Sequence, residues 1–435
     1  MKIAVVGAGI AGLSCAYQLV RAGQDVTLLE AGDYFGGHSH TVDVTLEGKT
    51  CGVDTGFLVF NHKTYPNLVR LFADLGVETA ASDMSFSVKT PIAGLFGQRL
   101  LEWAGRDLDT VFAQRRNIAS PRFLGMLRDI LRFNREATAI ALSTVPTVGE
   151  LSLGEFLESH GYGASFREWY LLPMAGCIWS CPTAQMLAFP ISTFARFCHN
   201  HGLLQVEDRP QWHTVKGGSR NYVEKMLRAI PDKRCNVAVD RLTRFNHGGV
   251  RRVLLETNTG KMEFDQVVLA CHSDQSLRML ADASAAEQAV LAAIPYQPNR
   301  AVLHTDASLL PQNRKAWSAW NYESISGAEP RVCVHYLINQ LQPLPFATPV
   351  IVSLNPIDAP AREHVLAEFD YSHPVFDSGA IVAQARLDNI QGRDNVWFAG
   401  AWTGYGFHED GLKSGLKVAQ SLLDLDLESS MRDAA

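Results

Sequence analysis

The spacing of apolar residues changes character twice within the first thirty positions. Ile3-Ala4-Val5-Val6 is a short unbroken run of the kind that fills a parallel strand buried on both faces. Gly7-Ala8-Gly9-Ile10-Ala11-Gly12 follows, Leu13 to Arg21 then carries apolar residues at helical spacing, and Gly23 ends the run. Val26-Thr27-Leu28-Leu29 is a second apolar stretch, closed by Glu30. The pattern predicts strand, tight turn, helix and strand. A different pattern occupies residues 115 to 135. There Arg115, Arg116, Arg122, Arg128, Arg132 and Arg135 stand against one acid, Asp129, with Phe123, Leu124, Met126, Leu127, Ile130, Leu131 and Phe133 interleaved. This predicts a basic amphipathic helix beginning after Pro121.

Two stretches carry no charge, Ile3 to Val20 and Tyr170 to Ala195. Glycines 7, 9 and 12 interrupt the first and Pro173, Pro182 and Pro190 the second, so neither reads as a membrane span. The flanks of the first do not make a signal peptide either.

The turn at residues 7 to 12 has the G-x-G-x-x-G spacing of a dinucleotide site, inside a βαβ unit and with an acid 18 residues beyond Gly12. Gly7 and Gly9 let the turn be tight and its backbone approach a pyrophosphate, whose charge meets a helix N-terminus. Gly12 lets helix and strand pack closely, and Glu30 can accept hydrogen bonds from ribose hydroxyls while repelling a 2′-phosphate.

Composition narrows the class. The 435 residues suffice for about three domain-sized units, and 47% apolar content excludes a wholly disordered chain. A net charge of −6 argues against sequence-independent nucleic-acid binding, which needs a basic footprint. Eight cysteines are too sparse for a disulfide framework and fit a reducing cytoplasm. Cys177 and Cys181, with Cys198, His199 and His201 downstream, have C-x3-C rather than the usual zinc spacing, so no metal is expected. They and the apolar stretch around them fit either an apolar channel or ordinary core.

Beyond the second strand, Gly36-Gly37-His38 and then Asp54-Thr55-Gly56-Phe57 resemble the G-G-R and D-x-G elements of flavin amine oxidases and their desaturase relatives. Phe264-Asp265-Gln266-Val267-Val268-Leu269-Ala270 resembles that family's D-x-V-V-L-A strand. Val396 to Trp402 with Glu409 to Gly415 resembles its terminal flavin-binding strand and helix. The resemblance tightens in Asp54 to Asn61, Cys177 to Pro182, Arg209 to Lys216 and Gly404 to Gly411. Those segments are similar to the flavoprotein-like N-terminal half of plant cyclopropane-fatty-acid synthases and to stand-alone bacterial flavoproteins of methyl-branched and furan fatty acid synthesis.

The resemblance implies an α/β fold: a Rossmann-type FAD-binding domain of residues 1–80, 206–285 and 386–435 with a discontinuous α+β substrate domain, 81–205 and 286–385. It implies FAD, held non-covalently because the S-G-G-C attachment motif is absent. The cofactor contacts it assigns are Gly7, Gly9, Gly12, Glu30, Gly36, Gly37, His38, Thr55, Gly56, Gly400, Asp410, Gly411 and Leu412. His38 stands where the family usually has an Arg facing phosphate. Arg300 falls where amine oxidases place a Lys near the flavin N5, and His408, three residues before Gly411, where they stack an aromatic residue. Arg300 and His408 are therefore the candidate catalytic residues, His408 as a base or as a structural turn residue. His304 reads as a satisfied strand histidine, and Trp402 and Tyr405 as pocket lining or core.

The implied activity is FAD-dependent desaturation or oxidation of a fatty acyl chain, plain or already methylated. Two rivals stand beside it: an amine or porphyrin oxidase with a small substrate, and a non-catalytic flavin-binding subunit of a lipid methyltransferase. The implied partners are a fatty acyl lipid and a lipid methyltransferase; the Arg-rich helix itself reads either as a face that docks peripherally on the inner side of a membrane or as an ordinary solvated face of the substrate domain.

Overall fold

The computed structural model describes residues 1–94, 97–143, 151–179, 186–205, 209–325 and 331–433. Residues 180–182 of the Cys177 to Pro182 motif, including Cys181, lie outside the described residues.

A five-stranded parallel sheet carries the first apolar run at its centre. Its spatial order is Asp232–Arg234, Asp25–Leu29, Lys2–Val6, Gln266–Leu269, Val396–Phe398. Ile3, Ala4, Val5, Leu28, Leu29, Val267, Val268 and Leu269 are fully enclosed, which is why these strands read as continuous apolar runs. The helix Ile10–Arg21 begins at the glycine turn, three residues earlier than the apolar periodicity alone suggested. It packs against the terminal helix His408–Asp433. Gly411 makes that approach close, since a Cβ there would sit 2.8 Å from Ile10 Cγ2.

The second large sheet has seven strands in the order Val365–Pro374, Tyr296–His304, Ile351–Leu354, Arg331–Leu337, Trp320–Ile325, Phe86–Gly94, Gly97–Ala104. All neighbours are antiparallel except Trp320–Ile325 beside Phe86–Gly94. Smaller sheets complete the strands: a meander over Val239–His247, Val250–Thr257 and Gly260–Phe264, the hairpin Thr41–Leu46 and Lys49–Asp54, and Trp212–Val215 between Phe60–Asn61 and Thr79–Ser82.

The Arg-rich segment forms the helix Pro121–Leu142, with Pro at its first position and Ser120 as N-cap accepting from the Phe123 N–H. Phe123, Met126, Phe133 and Ala137 form its buried face, each large side chain contributing about 1.5–3 kcal/mol by leaving water. Arg132 departs from the expected solvent face, lying 3.8 Å over the Tyr162 ring and donating to the His160 carbonyl. Among the described residues no helix is long and apolar enough to cross a membrane.

Candidate functional site

One cavity of about 1140 Å³ runs between the parallel sheet and the seven-stranded sheet. Its first wall is a floor of glycines. Gly7 adopts φ +98°, and a Cβ there would lie 2.8 Å from the Ala270 carbonyl, so only glycine fits. A Cβ on Gly12 would fall 1.8 Å from the Gly7 carbonyl oxygen. A Cβ on Gly9, in contrast, meets nothing within 4 Å. Gly9 therefore keeps empty the space directly over a helix start whose first N–H groups have no intrahelical partner.

The second glycine pair closes onto the first. The Gly36 N–H donates to the Ala8 carbonyl at 2.9 Å, and a Cβ on Gly37 would be 3.1 Å from Gly9 Cα. Glu30 fixes both turns by accepting from the Ala8 and Gly32 N–H groups, each at 2.8 Å, while still lining the cavity.

The remaining expected residues separate clearly. Gly7, Gly9, Glu30, Gly36, Gly37, His38, Thr55, Gly56, Gly400 and His408 all line the cavity. Gly12, Asp410, Gly411 and Leu412 do not, and here the expected direct contact is corrected. Gly12 and Gly411 serve close packing, Leu412 is core, and Asp410 accepts from the Tyr405 and Phe407 N–H groups at 3.0 Å to hold the loop before the last helix. Burial raises the Asp410 carboxyl to about 6.

His38 lines the cavity as a neutral ring and does not replace the charge of the family's usual Arg. Burial, helped by His373 and two further histidines, lowers its pKa well below the ordinary value, so the ring is neutral. It stacks on Tyr371 at 4.8 Å, and its buried Nε2 has no hydrogen-bond partner among the described residues.

Arg300 is a second correction. Its side chain is 59% exposed and paired with Glu368 at 2.6 Å, and it lies outside the cavity. The alternation of the strand Tyr296–His304 turns Asn299 and Ala301 inward and Arg300 outward. His304 is also away from the cavity, satisfied by Ser353 Oγ at 2.6 Å and the Asp306 N–H at 3.0 Å. Trp402 and Tyr405 both reach the cavity, Trp402 while buried and bonded to the Cys271 carbonyl. Cys177 lines the cavity too, as a thiol whose pKa burial pushes well up; Cys198 is buried elsewhere.

His408 is the polar group best placed for chemistry. It stacks flat on Phe57 with centroids 3.9 Å apart, and Nε2 shares a 2.8 Å hydrogen bond with the Tyr222 hydroxyl, which is bonded in turn to Ser39. Burial lowers the imidazole to about 3 and raises the Tyr222 phenol, so both are neutral. Nδ1 is taken by no described residue. Nothing in the sequence around Tyr222 marked it, since the two residues meet across 186 positions. Asp54, of the D-x-G element, is a structural knot: it accepts from Thr41, from the N–H and hydroxyl of Ser219, and from Gln342.

The comparisons with known proteins agree with this geometry. Residues 10–305 match the model of the flavin containing amine oxidoreductases. The chain belongs to that family. It is 25% identical over 284 residues to AofH of Mycobacterium tuberculosis, named as a flavin-containing monoamine oxidase, covering 62% of this chain and 56% of that protein. The match therefore spans little more than half the length of that relative. A 15-cis-phytoene desaturase of Synechococcus elongatus is 37% identical over 78 residues, 18% of this chain and 16% of its own. In fold, a putrescine oxidase aligns with TM-score 0.67 at 16% identity over 97% of this chain and 99% of its own. A CLA-producing fatty acid isomerase from P. acnes aligns with TM-score 0.65 at 15% identity over 97% and 98%.

As a member of this flavin-containing family, the chain takes FAD as its cofactor. Its residues fit the cofactor: the open space over Gly9, the continuous glycine floor and the unpartnered Nε2 of His38 are what a dinucleotide would occupy. The volume exceeds the roughly 300–1,000 Å³ of ordinary ligand pockets, leaving room for a substrate as well.

Proposed function

We propose that this flavoprotein oxidises an apolar hydrocarbon chain, a fatty acyl lipid, by desaturation. One observation carries the reading. Among the described residues, the part of the cavity lined by Met84, Cys177, Ile178, Trp212, Trp320, Tyr336, Val352 and Leu354 contains no carboxylate, ammonium or guanidinium. Its histidine, His201, is held neutral at about 4 by burial. The charged lining residues lie elsewhere: Glu30 at the glycine floor, Asp240 near it, Asp274 and Arg278 paired at 2.8 Å, and Asp370 on the edge strand. A cationic amine would lose its hydration with no counter-charge to replace it, whereas an acyl chain gains about 0.8 kcal/mol for each buried CH₂.

FAD supplies a hydride acceptor at N5. The chain's residues do the rest. The apolar walls exclude water and align the chain. With the His408 proton on Nε2 and donated to Tyr222, whose hydroxyl donates to Ser39, the Nδ1 lone pair is free to take a proton from the carbon next to the one losing hydride, a proton made acidic by the positive charge that hydride loss leaves beside it, as an imidazole held at about 3 requires. The two losses together leave a carbon–carbon double bond. Tyr222 does not ionise; its hydroxyl holds Nε2 and so orients the ring.

The test is anaerobic mixing of the holoprotein with long-chain acyl lipids, saturated or methyl-branched, and in parallel with short diamines and porphyrinogens. Loss of the yellow colour with an acyl lipid, with an alkene product by mass spectrometry, is expected. Bleaching by a diamine or porphyrinogen alone would replace this reading with a small-substrate oxidase. Bleaching by none, with methyl transfer restored to a lipid methyltransferase on addition of this protein, would make it an accessory subunit.

A further inference from the structure

The helix Pro121–Leu142 satisfies the core with one face, yet its opposite face is not an ordinary solvated surface. At about 100° per residue, Leu124, Arg128, Leu131, Arg135 and Leu142 fall within about 60° of one another and run some 27 Å along the axis. All five are exposed, Leu131 by 60% and Leu142 by 64%. Of the fifteen large apolar side chains that stand exposed among the described residues, five lie between Leu108 and Leu142. Arg128 is 81% exposed, with its nearest acid, Asp129, turned inward at 3.7 Å, and Arg135 has no ion pair among the described residues. A stripe that only solvated the helix would alternate acids with bases. This one alternates leucine with arginine, in a chain of net charge −6.

We infer that this face docks on an anionic lipid bilayer, the leucines entering the acyl boundary and Arg128 and Arg135 meeting lipid phosphates. Charge complementarity selects the occupant: an anionic headgroup layer over hydrocarbon matches both components of the stripe. The placement suits a lipid-oxidising enzyme. The inner face of the helix packs on the helix Ile191–Asn200, and Phe197 of that helix lines the apolar part of the cavity. One helix therefore separates the docking face from the chain-binding space. The inference goes beyond the proposed reaction, and its test needs no turnover, so either can fail alone.

The experiment is flotation of the FAD-loaded protein with vesicles of phosphatidylcholine, with and without about one third phosphatidylglycerol. Co-flotation with the anionic vesicles at about 50 mM salt is expected, with at least a tenfold fall in the partition coefficient at about 500 mM as screening shortens the range of the arginines. Arg128→Glu with Arg135→Glu should produce a similar fall at low salt, as should Leu131→Glu, with flavin content and Tm unchanged. Leu366→Glu, at an exposed leucine on another element, should not. Absence of flotation at any salt overturns the inference, and so does equal binding to neutral vesicles that ignores the arginine substitutions. A concentration-dependent dimer that Leu131→Glu dissolves would overturn it in favour of contact with a second copy.

Discussion

The two ends of the cavity are built on different principles. The dinucleotide end is made of backbone: glycines without side chains, helix-start N–H groups, and one carboxylate, Glu30, that ties two turns together. All of it except the later strands comes from residues 6 to 37. The substrate end is made of side chains from segments hundreds of positions apart, and its single candidate base is positioned by a phenol on another helix. Backbone recognition tolerates no added atom, whereas the side-chain end can be altered piecemeal.

The largest expected effect separates two glycines. Gly12→Val should fail to fold, because its Cβ would overlap the Gly7 carbonyl. Gly9→Val should fold, with an unchanged circular dichroism spectrum, and lose at least about 100-fold in FAD affinity, because only the ligand's space is filled. A yellow Gly9→Val protein would break the assignment of the backbone end. The companion expectation, that acid precipitation releases all of the flavin, checks that FAD is held without a covalent bond.

At the other end, His408→Ala should keep FAD and slow anaerobic flavin reduction about 10²-fold, the usual cost of losing an acid–base group. Tyr222→Phe should slow it by roughly tenfold and shift its pH profile, since the imidazole loses the hydroxyl that holds its Nε2. A reduction rate unchanged by His408→Ala would return His408 to structure. Val352→Asp places a carboxylate in the apolar part of the cavity and should raise KM for an acyl substrate about tenfold or more while FAD stays bound.

A smaller effect concerns pH. Burial holds His373 at about 4, so the folded state refuses a proton that the unfolded chain accepts below about 6.5. The stability this histidine permits is complete above pH 6.5 and declines as pH falls toward 4. Asp54 and Asp410, both raised to about 6, act in the opposite sense, which makes the difference between proteins the informative quantity. Between pH 7 and 5 the wild type should lose more Tm than His373→Gln. The smallest effect belongs to Arg300→Ala: an exposed ion pair is removed, and flavin reduction should stay within about twofold of wild type. A large loss would mean that the strand faces the cavity with its other side.

Arg300 shows where legibility ended. Its segment forms the strand Tyr296–His304, of which only Tyr296 lines the cavity among the described residues, so where along the strand the chain meets the cavity was not legible from the sequence. For His38 the sequence left open whether the imidazole carries charge, and only burial beside His373 and other histidines answers that it is neutral. Asp410 and Gly411 belonged to a motif whose loop, rather than whose side chains, approaches the cavity.

By itself the sequence determined the local chemistry. The turn at 7 to 12, the helix it starts, the acid at Glu30 and the amphipathic helix after Pro121 are each specified within a few turns of chain, where period, glycine sterics and capping act without reference to anything distant. Tertiary structure alone decided that Gly36-Gly37 lies against Gly9, that Tyr222 meets His408, that Arg300 turns outward and that the described residues of the far part of the cavity carry no charge. Those facts depend on which strands pair and which faces pack, and long-range burial fixes them only when the whole chain has folded.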